Sequence, residues 1–140
     1  MRIFLDTNIL MDAVENRKYS REAHTILNLC SVGIFHCCAS TMSFATLSYL
    51  LRHFTKERLH ETFKHLSGVV EVIPVNVAQF ESALDYGPVG DFEDLLQYKC
   101  AVAAGCDMVI TNDKKDFLEF NKIPVMSSPD FLVYLAESNG

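Results

Sequence analysis

Asp6 closes an apolar run that begins at Arg2, Asp94 stands in the first turn of a helical stretch behind a Gly-Pro loop, and Asp113 follows a run ending at Thr111. Asp116 lies a short step beyond Asp113. Carboxylates gathered in one place repel and raise one another's pKa, so the group persists only where a cation or hydrogen bonds compensate it. Oxygen donors favour hard ions, here Mg2+ or Mn2+, with waters completing the shell. One or two such ions can activate water, hold a scissile phosphate and stabilise a leaving oxygen. The chemistry this acid set offers is metal-assisted hydrolysis of a phosphodiester.

Each acid also has a plainer use. Asp6 can stop a strand, and Asp113 can form an Asx-turn. Asp91 and Asp94 stand three apart at a helix start, close to a capping box, where the helix dipole favours a carboxylate by about 0.3–1 kcal/mol. Asp91 is read as the cap and Asp94 as the ligand. Glu93 reads as solvated surface and Asp12 as an exposed helical acid. The segment Arg52 to His65 is the one basic concentration, with Arg52, His53, Lys56, Arg58, His60, Lys64 and His65 against Glu57 and Glu61. A solvated helix pair is at least as good a reading of it as a face that guides phosphates toward the acids. Lys114 and Lys115 flank Asp113 more directly. No Ser-His-Asp set, P-loop or phosphate-binding GxGxxG is present.

The elements that must position these acids alternate. Residues 2–6, 34–39, 69–75, 108–111 and 123–126 read as short buried strands, apolar without alternation, as expected when both sheet faces are covered. Between them lie helical patterns at 8–15, from Ser20 as cap to Cys30, 41–54, 56–66 ended by Gly68, 76–86 and 92–104. Ser128, with Pro129 at the first helical position, opens a closing helix. Strand-helix alternation means crossover units and a parallel sheet. The expected fold is α/β, one domain over 1–140, with a central five-stranded parallel sheet flanked by helices. Ligands of such folds bind at the carboxyl ends of the strands, where Asp6, Asp113 and Asp116 fall.

A chain of 140 residues, 49% hydrophobic and 21% charged, can bury one core and is too apolar for disorder. No apolar run approaches the ~18 residues that span a bilayer, and the opening MRIFLDTNIL is interrupted too soon for a signal peptide. A cytoplasmic protein with no membrane role is expected. The five cysteines include no Cys-x-x-Cys pair, and adjacent Cys37 and Cys38 should face opposite sides of a strand. Reduced, buried thiols follow, and the five histidines show no zinc-finger spacing with them. The formal charge of −6 argues against nucleic-acid binding by bulk electrostatics, but carboxylates of a metal site are counted in it.

The residues LDTNIL at 5–10, DFEDLLQYKCAVAAGCDMVITNDKKDF at 91–117 and IPVMSSPDFL at 123–132 resemble the PIN-domain nucleases, in particular the bacterial branch of VapC-type toxins. The resemblance runs over nearly the whole chain. It implies a Mg2+- or Mn2+-dependent endoribonuclease with Asp6, Asp94 and Asp113 as catalytic metal-site acids and Asp116 as a more peripheral one. Asn8, Thr111 and Asp91 are its supporting residues, and it implies an RNA substrate, a cognate antitoxin and a homodimer. One position departs. Where the family carries a glutamate after a Ser-x-x-Thr stretch, this chain has Thr46, which removes one negative charge. Asp91, Glu93 or Asp12 are the residues that can compensate. The alternative is a PIN fold with impaired catalysis that binds RNA or protein. A phosphoacceptor receiver domain is disfavoured, because Val75 and Asn76 stand where its acid is needed.

Overall fold

The computed structural model describes residues 1–117, 120 and 122–138; the side chains of Lys114 and Asp116 lie outside the described residues. The elements follow in the order β1 (Arg2–Leu5), α1 (Thr7–Val14), α2 (Ser20–Ser31), β2 (His36–Ser40), α3 (Thr41–Leu50), α4 (Lys56–Val69), β3 (Glu71–Ile73), α5 (Val77–Tyr86), α6 (Phe92–Ala103), β4 (Met108–Ile110), β5 (Val125–Met126) and α7 (Ser128–Ser138). A short 3-10 helix, Lys114–Phe117, follows β4. Five strands pair in parallel in the order β3-β2-β1-β4-β5. The chain winds from β1 through β2 to β3 on one side, then returns to place β4 on the other. The order therefore reverses between β1 and β4, the place where folds of this kind form a ligand crevice at the carboxyl ends of the strands.

Alternation along β1 divides the core in two. Ile3 and Leu5 face a cluster with Ile9, Leu10, Ile26, Leu47 and Phe131, on the side of α1, α2, α3 and α7. Phe4 faces the other, with Ile73, Leu95, Tyr98, Val109 and Phe117, on the side of α5 and α6. Cys37 and Cys38 divide in the same way. Burying one such side chain stabilises by about 1.5–3 kcal/mol, so covering both faces of even short strands holds them in place.

Two helices end in the same device. Gly105, at φ +72°, follows α6; its N–H donates to Val102 O at 3.0 Å, and Cys106 N–H donates to Ala101 O at 3.0 Å. Gly33, at φ +83°, follows α2, with Gly33 N–H to Cys30 O and Ile34 N–H to Leu29 O, each 3.0 Å. These are Schellman ends, and they turn the chain directly into β4 and β2.

Several boundaries differ from expectation. Gly68 does not end α4 but lies inside it, because burial of Leu66 and Val70 around it outweighs the ~1 kcal/mol that glycine costs a helix. Ser20 is the first residue of α2 rather than its cap; its hydroxyl accepts from Arg17 N at 2.7 Å instead. Ser127, not Ser128, caps α7, accepting from Asp130 N at 3.2 Å and moving Pro129 one place inward. Helix 41–54 stops at Leu50, and the strands expected at 34–39, 69–75 and 123–126 pair only over His36–Ser40, Glu71–Ile73 and Val125–Met126. Apolar runs mark what is buried, whereas a strand extends only as far as its neighbour does. No helix among the described residues is long and apolar enough to cross a membrane.

Candidate active site

Asp6 ends β1 and caps α1. Its N–H donates to Ile110 O at 3.0 Å, which ties it to the end of β4, and its side chain is 5% exposed. Oδ1 accepts from Thr7 N at 2.9 Å, while Oδ2 accepts from Thr111 Oγ1 at 2.8 Å and Asn8 Nδ2 at 3.0 Å. All these partners are neutral. Burial raises Asp6 to about 6; the bonds from Thr111 and Thr7 oppose the rise, and the charges of Asp113 and Glu93 add to it.

The carboxyl end of β4 closes the group. Thr111 Oγ1 accepts from Asn8 Nδ2 at 2.9 Å and from Asp113 N at 3.1 Å, so the hydroxyl holds Asp6 and the Asp113 backbone together. Asn8 Oδ1 accepts from Asn112 N at 3.0 Å. Asn112 Nδ2 donates to Asp12 Oδ2 at 3.0 Å, and Asn112 Oδ1 accepts from Ser128 N at 2.9 Å, which docks α7 onto the site. Asp12 is not the exposed helical acid expected. It is 3% exposed, paired with Arg17 at 3.2 Å, and its pKa is raised, by burial first and with a contribution from Asp113.

The third side of the crevice is the start of α6. Asp91 caps it, its Oδ1 accepting from Asp94 N at 3.1 Å. Asp94 is half-buried in the first turn. Beside it Glu93 accepts from Thr46 Oγ1 of α3 at 3.2 Å, and its charge reaches Asp6. Glu93 is exposed, as expected of a surface acid, and its bond to Thr46 adds a contact across to α3. One turn further along α6, Gln97 is fully buried; it accepts from Ser40 Oγ at 2.6 Å and donates to Ser43 Oγ at 2.7 Å and Thr7 Oγ1 at 3.3 Å. Thr7 and Ser43 share a further bond of 2.8 Å. This saturated polar layer locks α1, α3 and α6 together beneath the acids. Gln97 and Asn112 are site-supporting residues that the sequence does not single out; the one local sign of Gln97 is an amide amid the apolar residues of α6.

The environment of Asp6 fits a hard divalent ion, although the acid set does not close to ligand spacing: among the described residues no three of these carboxylates lie within 4.8 Å of one another. Asp6 is buried, meets the like charges of Asp113 and Glu93, and has only neutral hydrogen-bond partners among the described residues. Such a carboxylate lacks a compensating cation. The expected contribution of Asp116 lies outside the described residues. Lys115 is exposed just beyond Asp113, whereas the basic segment is remote. His53 of that segment reaches Glu15 at 2.9 Å, at the far end of α1, about 12 Å of helix from Asp6. Arg52 and Arg58 lie over the rings of Tyr49 and Phe54.

Comparison with known proteins bears on the family and the fold. The family model of the PIN domain matches residues 2–115. Ribonuclease VapC1 of Aquifex aeolicus is 28% identical over 138 residues, covering 93% of this chain and 92% of the relative. Among solved structures, VapBC-1 of nontypeable Haemophilus influenzae superposes with a TM-score of 0.70 at 20% identity, over 92% of this chain and 99% of that one. The DNA-bound VapBC2 of Rickettsia felis gives 0.68 at 20% identity, over 91% and 98%. VapC20 of Mycobacterium tuberculosis, a toxin that cleaves the sarcin-ricin loop, gives 0.65 at 17% identity, over 84% and 95%. At such identities the structural likeness speaks for the fold, and the family match extends it to sequence: this chain belongs to the PIN domain family.

Proposed function

We propose that this protein is a metal-dependent endoribonuclease of the VapC type, the toxin of a toxin–antitoxin pair acting in the cytoplasm. The observation that carries this reading is the buried Asp6 carboxylate, held between neutral donors and facing Asp113 and Glu93 where the strand order reverses. The relative named Ribonuclease VapC1 supports RNA as the substrate, and the VapBC complexes among the similar structures support an antitoxin partner.

In this reading Asp6, Asp94 and Asp113 hold Mg2+ or Mn2+, with Asp116 more peripheral. When bound, the ion supplies the Lewis acid for hydrolysis of an RNA phosphodiester. The protein's own residues do the positioning. Thr111 and Asn8 fix Oδ2 of Asp6, and Thr7 N–H fixes Oδ1, so the carboxylate cannot rotate away from the crevice. Lys115, exposed beside the acids, offers a cation to a substrate phosphate.

Thr46 motivates the second reading, a PIN fold that binds RNA or protein without turnover. Its bond to Glu93 argues for the enzyme, because Glu93 returns a carboxylate to that side of the crevice. The test is cleavage of a panel of structured RNAs with Mn2+ or Mg2+ by this protein and by Asp6→Asn. We expect cleavage that EDTA stops and the variant lacks while its circular dichroism is unchanged. Cleavage indifferent to both changes overturns the proposal, and binding without cleavage at any metal concentration moves it to the second reading. A homodimer belongs to the same proposal, with exposed Tyr49 and Leu50 at the end of α3 as its apolar surface. A monomeric mass at working concentration contradicts that part.

A further inference from the structure

The amino-terminal edge of the sheet, opposite the Asp6 crevice, gathers a different set of side chains. Arg2 begins β1, His36 begins β2 and Glu71 begins β3. Arg2 is the register partner of His36, and Cys38 is the partner of Glu71. Partners in a parallel pair face the same side, and His36 and Cys38 are two apart, so all four share the face that α5 and α6 cover. One donor atom each from His36, Cys38 and Glu71 falls within 4.8 Å of the others.

Two of the three spacings are those of a coordination shell. Glu71 Oε2 stands 3.4 Å from His36 Nε2 and 3.5 Å from Cys38 Sγ. A tetrahedral zinc ion, with bonds of about 2.0–2.1 Å to nitrogen, ~2.0–2.2 Å to oxygen and ~2.3 Å to sulfur, separates its ligands by roughly 3.3–3.6 Å. Those two edges already exist. His36 and Glu71 are exposed, so the remaining vertex opens to solvent, while Cys38 is buried and anchors the set.

Without an ion the surroundings hold Cys38 as a thiol: the bond with Cys106 and burial push its pKa well up, so a bound cation is what would draw off its proton. Cys106 hydrogen-bonds to Cys38, and that bond holds the Cys106 thiol below its usual pKa. The Arg2 guanidinium, 2.6 Å from Glu71 and 2.9 Å from Ala104 O, adds a fixed positive charge. A divalent ion, the Cys38 thiolate and the Glu71 carboxylate sum to zero charge, and the Cys106 thiol keeps its proton to donate to the Cys38 sulfur. Mixed nitrogen, sulfur and oxygen donors select zinc over magnesium.

We propose that His36, Cys38 and Glu71 bind one divalent ion of the zinc class, separate from the acid set at Asp6, and that this ion clips β2 to the edge strand β3. Binding releases the Cys38 proton to solvent. The site stands on its own geometry and does not depend on the ribonuclease reading.

Titration of the full chain with Co2+ as a spectroscopic probe of zinc tests it. A thiolate-to-cobalt charge-transfer band should saturate at one equivalent and survive both excess Mg2+ and the Asp6→Asn change, since an all-oxygen site gives no such band. His36→Ala, at an exposed position, and Cys38→Ser should each abolish it. Zn2+ should displace the cobalt and raise the melting temperature of the wild type and of Asp6→Asn, but not of His36→Ala. No band in the wild type, or a band of undiminished affinity in His36→Ala, overturns the proposal. His36→Ala decides the matter even if Cys38→Ser fails to fold.

Discussion

Glu93 and Thr46 meet at 3.2 Å across the gap between α6 and α3, and their charges differ from those the family resemblance leads one to expect on these helices. The carboxylate comes from α6 instead of α3. If it serves the same metal, Glu93→Gln should lower cleavage about 10- to 100-fold, the usual cost of losing a group that tunes a metal site. The loss should be relieved by added Mn2+. In the double variant Glu93→Gln with Thr46→Glu the charge returns on α3, and most of the activity should return with it. Rates measured against metal concentration check this; a Glu93→Gln protein with wild-type rate and metal dependence contradicts it.

Helix ends, rather than helix middles, set where the chemistry sits. The Schellman turn at Gly105 delivers the chain to β4 and so aims Thr111 and Asp113 at Asp6. A Cβ at Gly105 meets no atom within 4 Å, so the cost of Gly105→Ala is conformational, about 1–2 kcal/mol for a left-handed residue. Gly68, in the body of α4 and with equal space around it, should behave oppositely, Gly68→Ala stabilising by about 0.5–1 kcal/mol. Urea unfolding of the two variants beside the wild type gives the comparison. Equal signs for both would mean that backbone conformation does not govern these positions.

For the molecule as a whole, the acid crevice is a stability cost that an ion should relieve. Burial raises Asp6 to about 6, above an unfolded value near 3.9. The folded state therefore favours the protonated form. The stability this contributes is fully present below about pH 4 and is lost as pH rises through about 6. In the absence of metal, the wild type should lose on the order of 2–3 kcal/mol relative to Asp6→Asn between pH 4 and pH 7. Saturating Mn2+ should remove most of that difference. Denaturant unfolding of both proteins across this range, with and without Mn2+, reads it directly, and parallel curves for the two proteins contradict it.

The sequence by itself determined the order of the elements and the two-sided burial of the strands. It also put Asp6 and Asp113 at strand ends, because apolar runs, caps and glycines act over a few residues and are written where they act. The resemblance carried by LDTN, the helix-opening acid and the TND turn set the family. Which groups meet was another matter. Asp12 reads as surface on α1 until Asn112 and Arg17 close over it, and Glu93, exposed as it reads, meets Thr46 only where α3 comes beside it. Gln97 finds its partners on α1, β2 and α3, and Glu71 meets His36 and Cys38 only through the register of β2 with β3. Apart from the Asp12–Arg17 pair, these contacts join residues 33 to 100 positions apart. Strand order and register, which bring such distant segments together, belong to the packed molecule and to no local stretch of its chain.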